Sequence, residues 1–399
     1  MTLDLSPLVQ PSPGKIVLVV LDGLAGFAGP DRGTELEEAH TPNLDALAAA
    51  GSVGLHDPVG PGITPGSGPA HMALFGYDPV EYQLGRGALS AAGLEVDVRP
   101  GDVAARGNLA TLDAEGRITD RRAGRLPDTE ALEVVERLRA GVAIPGVDIT
   151  IAHEAQHRVL VVFRGEGLSP LLSDTDPQKV GVPPAAPRAT LPTSDHTAEV
   201  VADFDRQVRA VLADHPKANV VLLRGFDSHR ALPSMFERFG VRPAAIAVYP
   251  MYRGVASLVG MDVLPKPANL DEELALLRKY WDDYDYFFFH HKSPDSAGED
   301  GNFAAKAAAI EALDEVIAEV AALAPDVLVV TGDHSTPSQM AAHSWHPVPV
   351  LMWGPRVGRD DVARFGERWC LQGALGRREG KHLMTLMLGA SGRLAKFGA

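Results

Sequence analysis

Hydrophobic positions along the chain fall into two kinds of run. The first kind is short, unbroken and rich in β-branched or aromatic residues: Ile16 to Leu21, Val220 to Leu223, Tyr286 to Phe289 and Val327 to Val330. A run without polar alternation predicts a strand covered on both faces, as in a parallel sheet flanked by helices. The second kind returns every three or four positions. Ile310, Leu313, Ile317 and Val320 mark one face of a helix that must end before Pro325. Thr41 to Leu47 predicts another, with Thr41 as its cap, Pro42 in its first turn and Gly51 as its stop. Strands and helices in alternation predict an α/β fold with a mostly parallel sheet.

The pattern changes in the middle. From Gly87 to Ala189, strand-like pieces at Glu95 to Val98 and Arg158 to Phe163 sit among Gly- and Arg-rich turns, and Gly181 to Pro187 reads as a stiff linker. This predicts a smaller α+β domain inserted at 87–239, with 1–86 and 240–399 forming the main domain. A length of 399 residues also favours two cores over one.

Composition narrows the choice of partners. Apolar residues at 45% and charged residues at 22% describe a soluble globular chain. The 37 basic residues against 52 acidic ones leave a net charge of −15, which repels nucleic acid and anionic lipid. An anionic substrate would therefore need arginine, lysine or metal ions gathered locally. Cys370 is the single cysteine, so no internal disulfide and no thiolate cage can form, as suits a reducing cytoplasm. Residues 1–15 lack the pattern of a signal peptide, and no apolar run approaches the ~20 residues that span a bilayer. The oligomeric state stays open.

The carboxylates and imidazoles gather where the predicted strands end. Asp22 follows the first strand, His290, His291 and Lys292 follow the aromatic one, and Asp333 and His334 follow Val327 to Val330. Asp295 and Glu299 come just after Lys292, and His343 and His346 lie in the next loop. Ligand sites of parallel sheets lie beyond the carboxyl ends of their strands. Each residue alone reads as a turn or loop residue; together they predict a metal site, with oxygen and nitrogen ligands suited to Mn²⁺, Zn²⁺ or Mg²⁺. Ser67 stands in a Pro/Gly-rich loop, ordinarily a turn. If it opens a helix through His71 to Leu74, its hydroxyl sits at the positive end of the helix dipole, where amides can receive a phosphate.

Six segments then occur in order: Asp22-Gly23, Thr41 to Asp45, Pro65-Gly66-Ser67, Leu74 to Pro79, Ser173 to Pro177 and Gly332 to Pro337. The series resembles the archaeal-type branch of the 2,3-bisphosphoglycerate-independent phosphoglycerate mutases, within the alkaline phosphatase superfamily. The resemblance implies an alkaline-phosphatase-like sheet and an isomerase that interconverts 3-phosphoglycerate and 2-phosphoglycerate through a phosphoserine on Ser67. It implies two divalent metal ions, Mn²⁺ first, with Zn²⁺, Co²⁺ or Mg²⁺ as alternatives, and no 2,3-bisphosphoglycerate. One metal falls to Asp22, Ser67, Asp333 and His334, the other to Asp295, Glu299 and His343. Glu299 stands where the family usually has His, and Gly68-Pro69-Ala70-His71 departs from the family's usual Asp-Thr-Ala-His. Arg106 and Arg224 match its substrate-clamping arginines, with Arg158 and Lys292 as further substrate contacts. Arg253 falls near the transferring phosphoryl group, and Asp174 matches the acid that handles the hydroxyl proton. The alternative is a metal-dependent phosphomonoesterase or a phosphopentomutase of the same superfamily. A sulfatase lacks support, because no Cys/Ser-x-Pro-x-Arg pattern surrounds Ser67.

Overall fold

The structure, a computed structural model, describes residues 4–94, 96–228 and 232–398. The chain divides into two compact units, one of Met1–Gln83 with Leu232–Ala399 and the other of Leu84–Ala231. In chain order the strands among the described residues are β1 (Ile16–Leu21), β2 (Ser52–Asp57), β3 (Val103–Leu112), β4 (Ile118–Asp120), β5 (Val147–Ala155), β6 (Arg158–Gly165), β7 (Val220–Ser228), β8 (Pro243–Ala247), β9 (Asp262–Val263), β10 (Tyr286–His291), β11 (Val327–Thr331), β12 (Val348–Trp353) and β13 (Gly376–Glu379).

The first unit is built on one sheet in the order β13-β2-β12-β11-β1-β10-β8-β9. β1 runs parallel to both β10 and β11, and β8 runs parallel to β10. The exception is β12, antiparallel to both of its neighbours, β11 and β2. Every residue of β1, β10 and β11 is buried, as their unbroken apolar runs predict for strands covered on both faces. On one face Val17, Val19, Leu21, Phe287 and Phe289 pack with Ile310, Leu313, Ile317 and Val320, from the helix Phe303–Ala322. Those four are the positions that the helical period picks out. Each Å² of apolar surface that this layer removes from water stabilises the unit by about 25 cal/mol.

The helix Pro42–Ala50 has Pro42 in its first turn and Gly51 at its end, but the Thr41 side chain does not cap it. Asp314 does so from across the core, its Oδ2 accepting from the Asn43 amide at 3.1 Å and its Oδ1 from the Leu44 amide at 2.7 Å. A carboxylate near a helix N-terminus satisfies the orphan amides and meets the positive end of the dipole.

In the second unit β4, β3, β6 and β5 form one antiparallel series, and β7 pairs with the other edge of β3. The Val220 to Leu223 run is thus a strand, but of this antiparallel sheet and not of a parallel one. Arg158 to Phe163 is a strand as expected. The expected strand at Glu95 to Val98 is absent over 96–98, where the partly buried Val96 and Val98 pack against Ala91, Ala104, Leu160 and Val162; Glu95 lies outside the described residues. The helices Asp128–Gly141 and Asp195–Val211 cover the sheet with Val134, Val135, Leu138, Val201, Phe204 and Val208. Among the described residues no helix is long and apolar enough to cross a membrane.

Candidate active site

β1 ends at Leu21, and the chain turns at once. Gly23 has φ +63°, and a Cβ there would meet Thr336 Oγ1 at 2.6 Å and Asp295 Oδ1 at 2.7 Å. The left-handed turn and the tight approach both demand glycine. The Gly23 amide donates to Asp333 Oδ1 at 3.0 Å, which ties the end of β1 to the loop after β11. Asp22, Asp333 and His334 are all fully buried. His334 Nε2 lies 3.3 Å from Asp22 Oδ1 and 3.2 Å from Asp333 Oδ2. Ser67 is the first residue of the helix Ser67–Leu74, and its Oγ lies 3.1 Å from the same His334 nitrogen.

A second group shares His334. Its Nδ1 lies 3.0 Å from Thr336 Oγ1, which donates to Asp295 Oδ1 at 2.7 Å. The rings of His334 and His343 stack at 3.7 Å. His343 Nδ1 donates to the Pro65 carbonyl at 3.0 Å, so its Nε2 is left as a lone-pair donor, 3.7 Å from Asp295 Oδ1. Glu299, at the end of the helix Ser293–Glu299, keeps its side chain 57% exposed, with its carboxyl 3.9 Å from His343 Nε2. Two triads therefore have ligand atoms within 4.8 Å of one another: Asp22 with Asp333 and His334, and Asp295 with His334 and His343. Glu299 borders the second triad from the solvent side.

The electrostatics of the first triad fit a cation. Burial works against the Asp22 carboxylate, but Lys292, His290 and His334 outweigh it and hold the group well below the usual carboxylate range. Lys292 Nζ lies 3.0 Å from Asp22 Oδ2 and also bonds Asp295. Asp333 is pushed well above that range, by burial first and then by the Asp22 charge. Two buried carboxylates this close cannot both ionise unless positive charge stands between them. Asp22 Oδ1 and Asp333 Oδ2 have no hydrogen-bond donor despite complete burial. Orphaned carboxyl oxygens converging on an imidazole nitrogen are the donor set that a divalent metal satisfies. The residues present therefore fit the metals that the sequence implies.

Beneath this cluster lies a ring-lined floor, of whose rings the sequence counted only His290 among the clustered imidazoles. His71 Nδ1 donates to the Ser67 carbonyl at 2.8 Å and sits 3.4 Å from Asp333 Oδ2. Burial pushes its imidazole down to about 3, so it is neutral. Tyr252 lies over His290 at 4.0 Å, and His290 Nε2 is 3.5 Å from Asp22 Oδ2. β10 runs on through His290 and His291, so these close the strand where the aromatic run alone suggests that they follow it. Arg253, one residue after Tyr252, gives Nη1 to the carbonyls of Ala247 and Leu264 at 3.3 and 2.9 Å. His346, in the same loop as His343, stacks between Phe27 and Trp345.

The second unit gathers arginines. Arg106 on β3 stands directly across from Arg224 on β7, and Asn108 on β3 across from Arg158 on β6. Arg224 lies 3.8 Å from Asp174 and 3.7 Å from Asp176. Asp174 Oδ1 accepts from the Gly225 amide at 2.7 Å, while Arg121 grips Asp176 with two bonds of 2.9 and 2.7 Å. A further member is Arg86, the first residue of the helix Arg86–Gly93. It keeps an exposed surface, but partial burial and the charges of Arg106 and Arg224 push its guanidinium down to about 10. Its helix can approach because Gly87 has no side chain; a Cβ there would fall 2.0 Å from the Ala104 carbonyl oxygen.

The family model described as 2,3-bisphosphoglycerate-independent phosphoglycerate mutase matches residues 48–218. A Thermus thermophilus protein named "probable 2,3-bisphosphoglycerate-independent phosphoglycerate mutase" is 50% identical, over 99% of this chain and 98% of its own. The chain belongs to the 2,3-bisphosphoglycerate-independent phosphoglycerate mutases. An Aquifex aeolicus mutase of the same name is 48% identical over 99% of both chains. Among solved structures, the cofactor-independent phosphoglycerate mutase from Thermoplasma acidophilum superposes with a TM-score of 0.71 at 30% identity, covering 95% of this chain and all of that one. A Pyrococcus horikoshii protein superposes with a TM-score of 0.84, also at 30% identity, over 97% of this chain and 99% of its own.

Sequence reasoning did not single out Arg86, which the fold sets beside Arg106 and Arg224. Gly85-Arg86-Gly87 carries the same arginine-beside-glycine signal that singles out Arg106, Arg224 and Arg253.

Proposed function

We propose that this chain interconverts 3-phosphoglycerate and 2-phosphoglycerate, without 2,3-bisphosphoglycerate, by way of a phosphorylated Ser67. The observation that carries the reading is the Ser67 hydroxyl, at the start of its helix and 3.1 Å from His334 Nε2, beside two triads of carboxylate and imidazole. Asp22, Ser67, Asp333 and His334 would hold one divalent metal, and Asp295, Glu299 and His343 the other, with Mn²⁺ first and Zn²⁺, Co²⁺ or Mg²⁺ as alternatives. Bound there, such ions supply Lewis acidity, which lowers the hydroxyl pKa and offsets charge on phosphoryl oxygens.

The chain's own residues then have separable tasks. Ser67 releases its hydroxyl proton to solvent and its Oγ attacks phosphorus in line; the bond to phosphorus forms as the bond to the glycerate oxygen breaks, and that oxygen takes up a proton. In the first turn of the helix only Ser67 and Gly68 have amide hydrogens to offer a phosphoryl oxygen, since Pro69 has none. Lys292 is the better-supported cationic partner for the phosphoryl group, because its ammonium already meets Asp22 and Asp295, whereas Arg253 braces main-chain carbonyls. Arg106, Arg158 and Arg224, with Arg86, bind the substrate carboxylate, and Asp174 carries the proton between the two glycerate hydroxyls. Retained glycerate reorients, and its other hydroxyl takes the phosphoryl group back from Ser67. Water must be kept out throughout, or the phosphoserine hydrolyses. We assign the activity to the cytoplasm, which suits a lone, buried Cys370.

The test is an enolase-coupled assay without 2,3-bisphosphoglycerate, run after chelation and again with Mn²⁺, alongside intact-mass measurement of rapidly quenched protein. Metal-dependent turnover and a phosphorylated species that Ser67→Ala lacks are expected. Turnover retained by Ser67→Ala would refute the covalent route. Phosphate release from many esters without mutase turnover would replace the mutase by a phosphomonoesterase.

A further inference from the structure

The loop after β11 carries Asp333 and His334 and then Thr336, a residue with no exposed surface. The main chain of Thr336 is held at both of its polar atoms. Its amide donates to the Ala25 carbonyl at 3.0 Å, and its carbonyl accepts from the Lys306 ammonium at 2.8 Å. The helix Ser293–Glu299 closes on the same carbonyl through Gly298, where a Cβ would fall 2.4 Å from the Thr336 oxygen. The side chain is thus aimed by its surroundings, and its hydroxyl has one hydrogen to give. That hydrogen goes to Asp295 Oδ1 at 2.7 Å. Asp295 Oδ2 takes a bond from the Lys292 ammonium, so the carboxylate accepts at both oxygens. With its hydrogen spent, Thr336 Oγ1 can only accept from His334 Nδ1, 3.0 Å away. Nδ1 therefore carries the imidazole proton. Nε2 keeps its lone pair, to which the Ser67 hydroxyl can donate at 3.1 Å.

We propose that Thr336 is a positioning residue, which fixes the tautomer of His334 and so assigns that imidazole to the group of Asp22, Ser67 and Asp333 alone. The inference rests on the ligand sets proposed above. Without the hydroxyl, the balance at the two ring nitrogens reverses. His334 Nδ1 lies 4.0 Å from Asp295 Oδ1, too far for a direct hydrogen bond, so a proton there would lose its acceptor. Around Nε2 stand Asp22 Oδ1 at 3.3 Å and Asp333 Oδ2 at 3.2 Å, two buried oxygens that lack a donor. They would draw the proton to Nε2 and block the lone pair that faces Ser67. Nδ1 would then offer its lone pair to the wrong group, that of Asp295 and His343. A hydrogen bond to the remote ring nitrogen is a general means of fixing a ligating histidine in tautomer and orientation. Here one hydroxyl does this for His334 and at the same time orients Asp295 of the other triad. His343 has its own anchor in the Pro65 carbonyl, so Thr336 serves only one of the two stacked imidazoles.

Thr336→Val removes the hydroxyl and keeps the branched shape, while Thr336→Ser keeps the hydroxyl. Ring-nitrogen NMR shifts of His334, read in the metal-free full chain and assigned by their loss in His334→Gln, report the tautomer. Nδ1–H with a free Nε2 lone pair is expected in the parent and in Thr336→Ser, and Nε2–H in Thr336→Val. Competition with a chelator for Mn²⁺ should show affinity lowered by about ten- to a hundredfold in Thr336→Val and close to the parent's in Thr336→Ser. Any other state of the His334 ring in the parent overturns the proposal, whatever the variants do. So does an unchanged ring in Thr336→Val, or an equal loss of affinity in both variants, which would mark the residue as mere packing. A parent that binds no Mn²⁺ would instead refute the ligand sets proposed above, and the metal-free ring shifts would still decide what Thr336 does.

Discussion

Glu273 gives the sharpest stability test. Its carboxyl is buried without a hydrogen bond to Oε2, and burial alone raises it from 4.5 to about 8. A raised acid binds its proton more tightly folded than unfolded. Its contribution is therefore intact below pH 4.5 and is lost as pH climbs towards 8. With about 1.4 kcal/mol for each decade between the two values, the folded state loses on the order of 3 kcal/mol by pH 7 and little more above pH 8. Glu273→Gln keeps the shape and removes the titration. Thermal unfolding of parent and variant, compared at pH 5 and pH 8, should give nearly equal midpoints at the lower pH. At the higher pH the variant should melt several degrees above the parent, at roughly 2 °C per kcal/mol for a unit of this size. A gap that does not change with pH, or a variant less stable at pH 8, would refute the reasoning.

Arg86→Ala should raise the KM for 3-phosphoglycerate by about tenfold with a smaller change in kcat, because the residue is read as binding ground state and transition state alike; steady-state kinetics checks this. Glu299→His exchanges a carboxylate for an imidazole beside His343 and should shift preference from Mn²⁺ towards Zn²⁺ by about tenfold, measured by competitive metal titration of the folded protein. Lys306 is fully buried, donating to the carbonyls of Ala25 and Thr336 at 3.0 and 2.8 Å and lying 3.8 Å from Glu35. Lys306→Met should destabilise by about 3 kcal/mol, since Glu35 and two carbonyls lose their cation, and a Glu35→Gln, Lys306→Met double variant should recover part of the loss in denaturant unfolding.

Legibility followed the range of the interactions involved. Buried strands announced themselves because Ile16 to Leu21, Tyr286 to Phe289 and Val327 to Val330 run without polar alternation, and the polar residues at and just past the strand ends mark the cluster. The helical period picked out Ile310 to Val320 for the same reason. What escaped depends on distant partners. Thr41 has the right identity for a cap, yet Asp314 fills that role from a helix far along the chain. Val220 to Leu223 is as apolar as β11, and nothing local reveals that it pairs antiparallel with β3. Nothing local in the sequence shows that His71 and Tyr252 lie under Asp333 and Asp22. Glu273 is the last of three consecutive acids, Leu270-Asp271-Glu272-Glu273-Leu274, and only the packed fold shows which carboxylate is buried.

The antiparallel direction of β12 has a consequence for how the protein assembles. Because β11 and β12 pair as neighbours in sequence, the loop between them starts and finishes at one edge of the sheet, carrying Asp333, His334 and His343 together. That pairing closes a loop local in sequence, 332–347, with no strand from elsewhere between its ends. Asp22 instead rides on β1, whose two flanking strands both come from the far end of the chain. Contact order alone therefore predicts that the β11–β12 hairpin brings Asp333, His334 and His343 together before β1 pairs between β10 and β11; pulse-labelled hydrogen exchange protecting β1 before β12 would refute it.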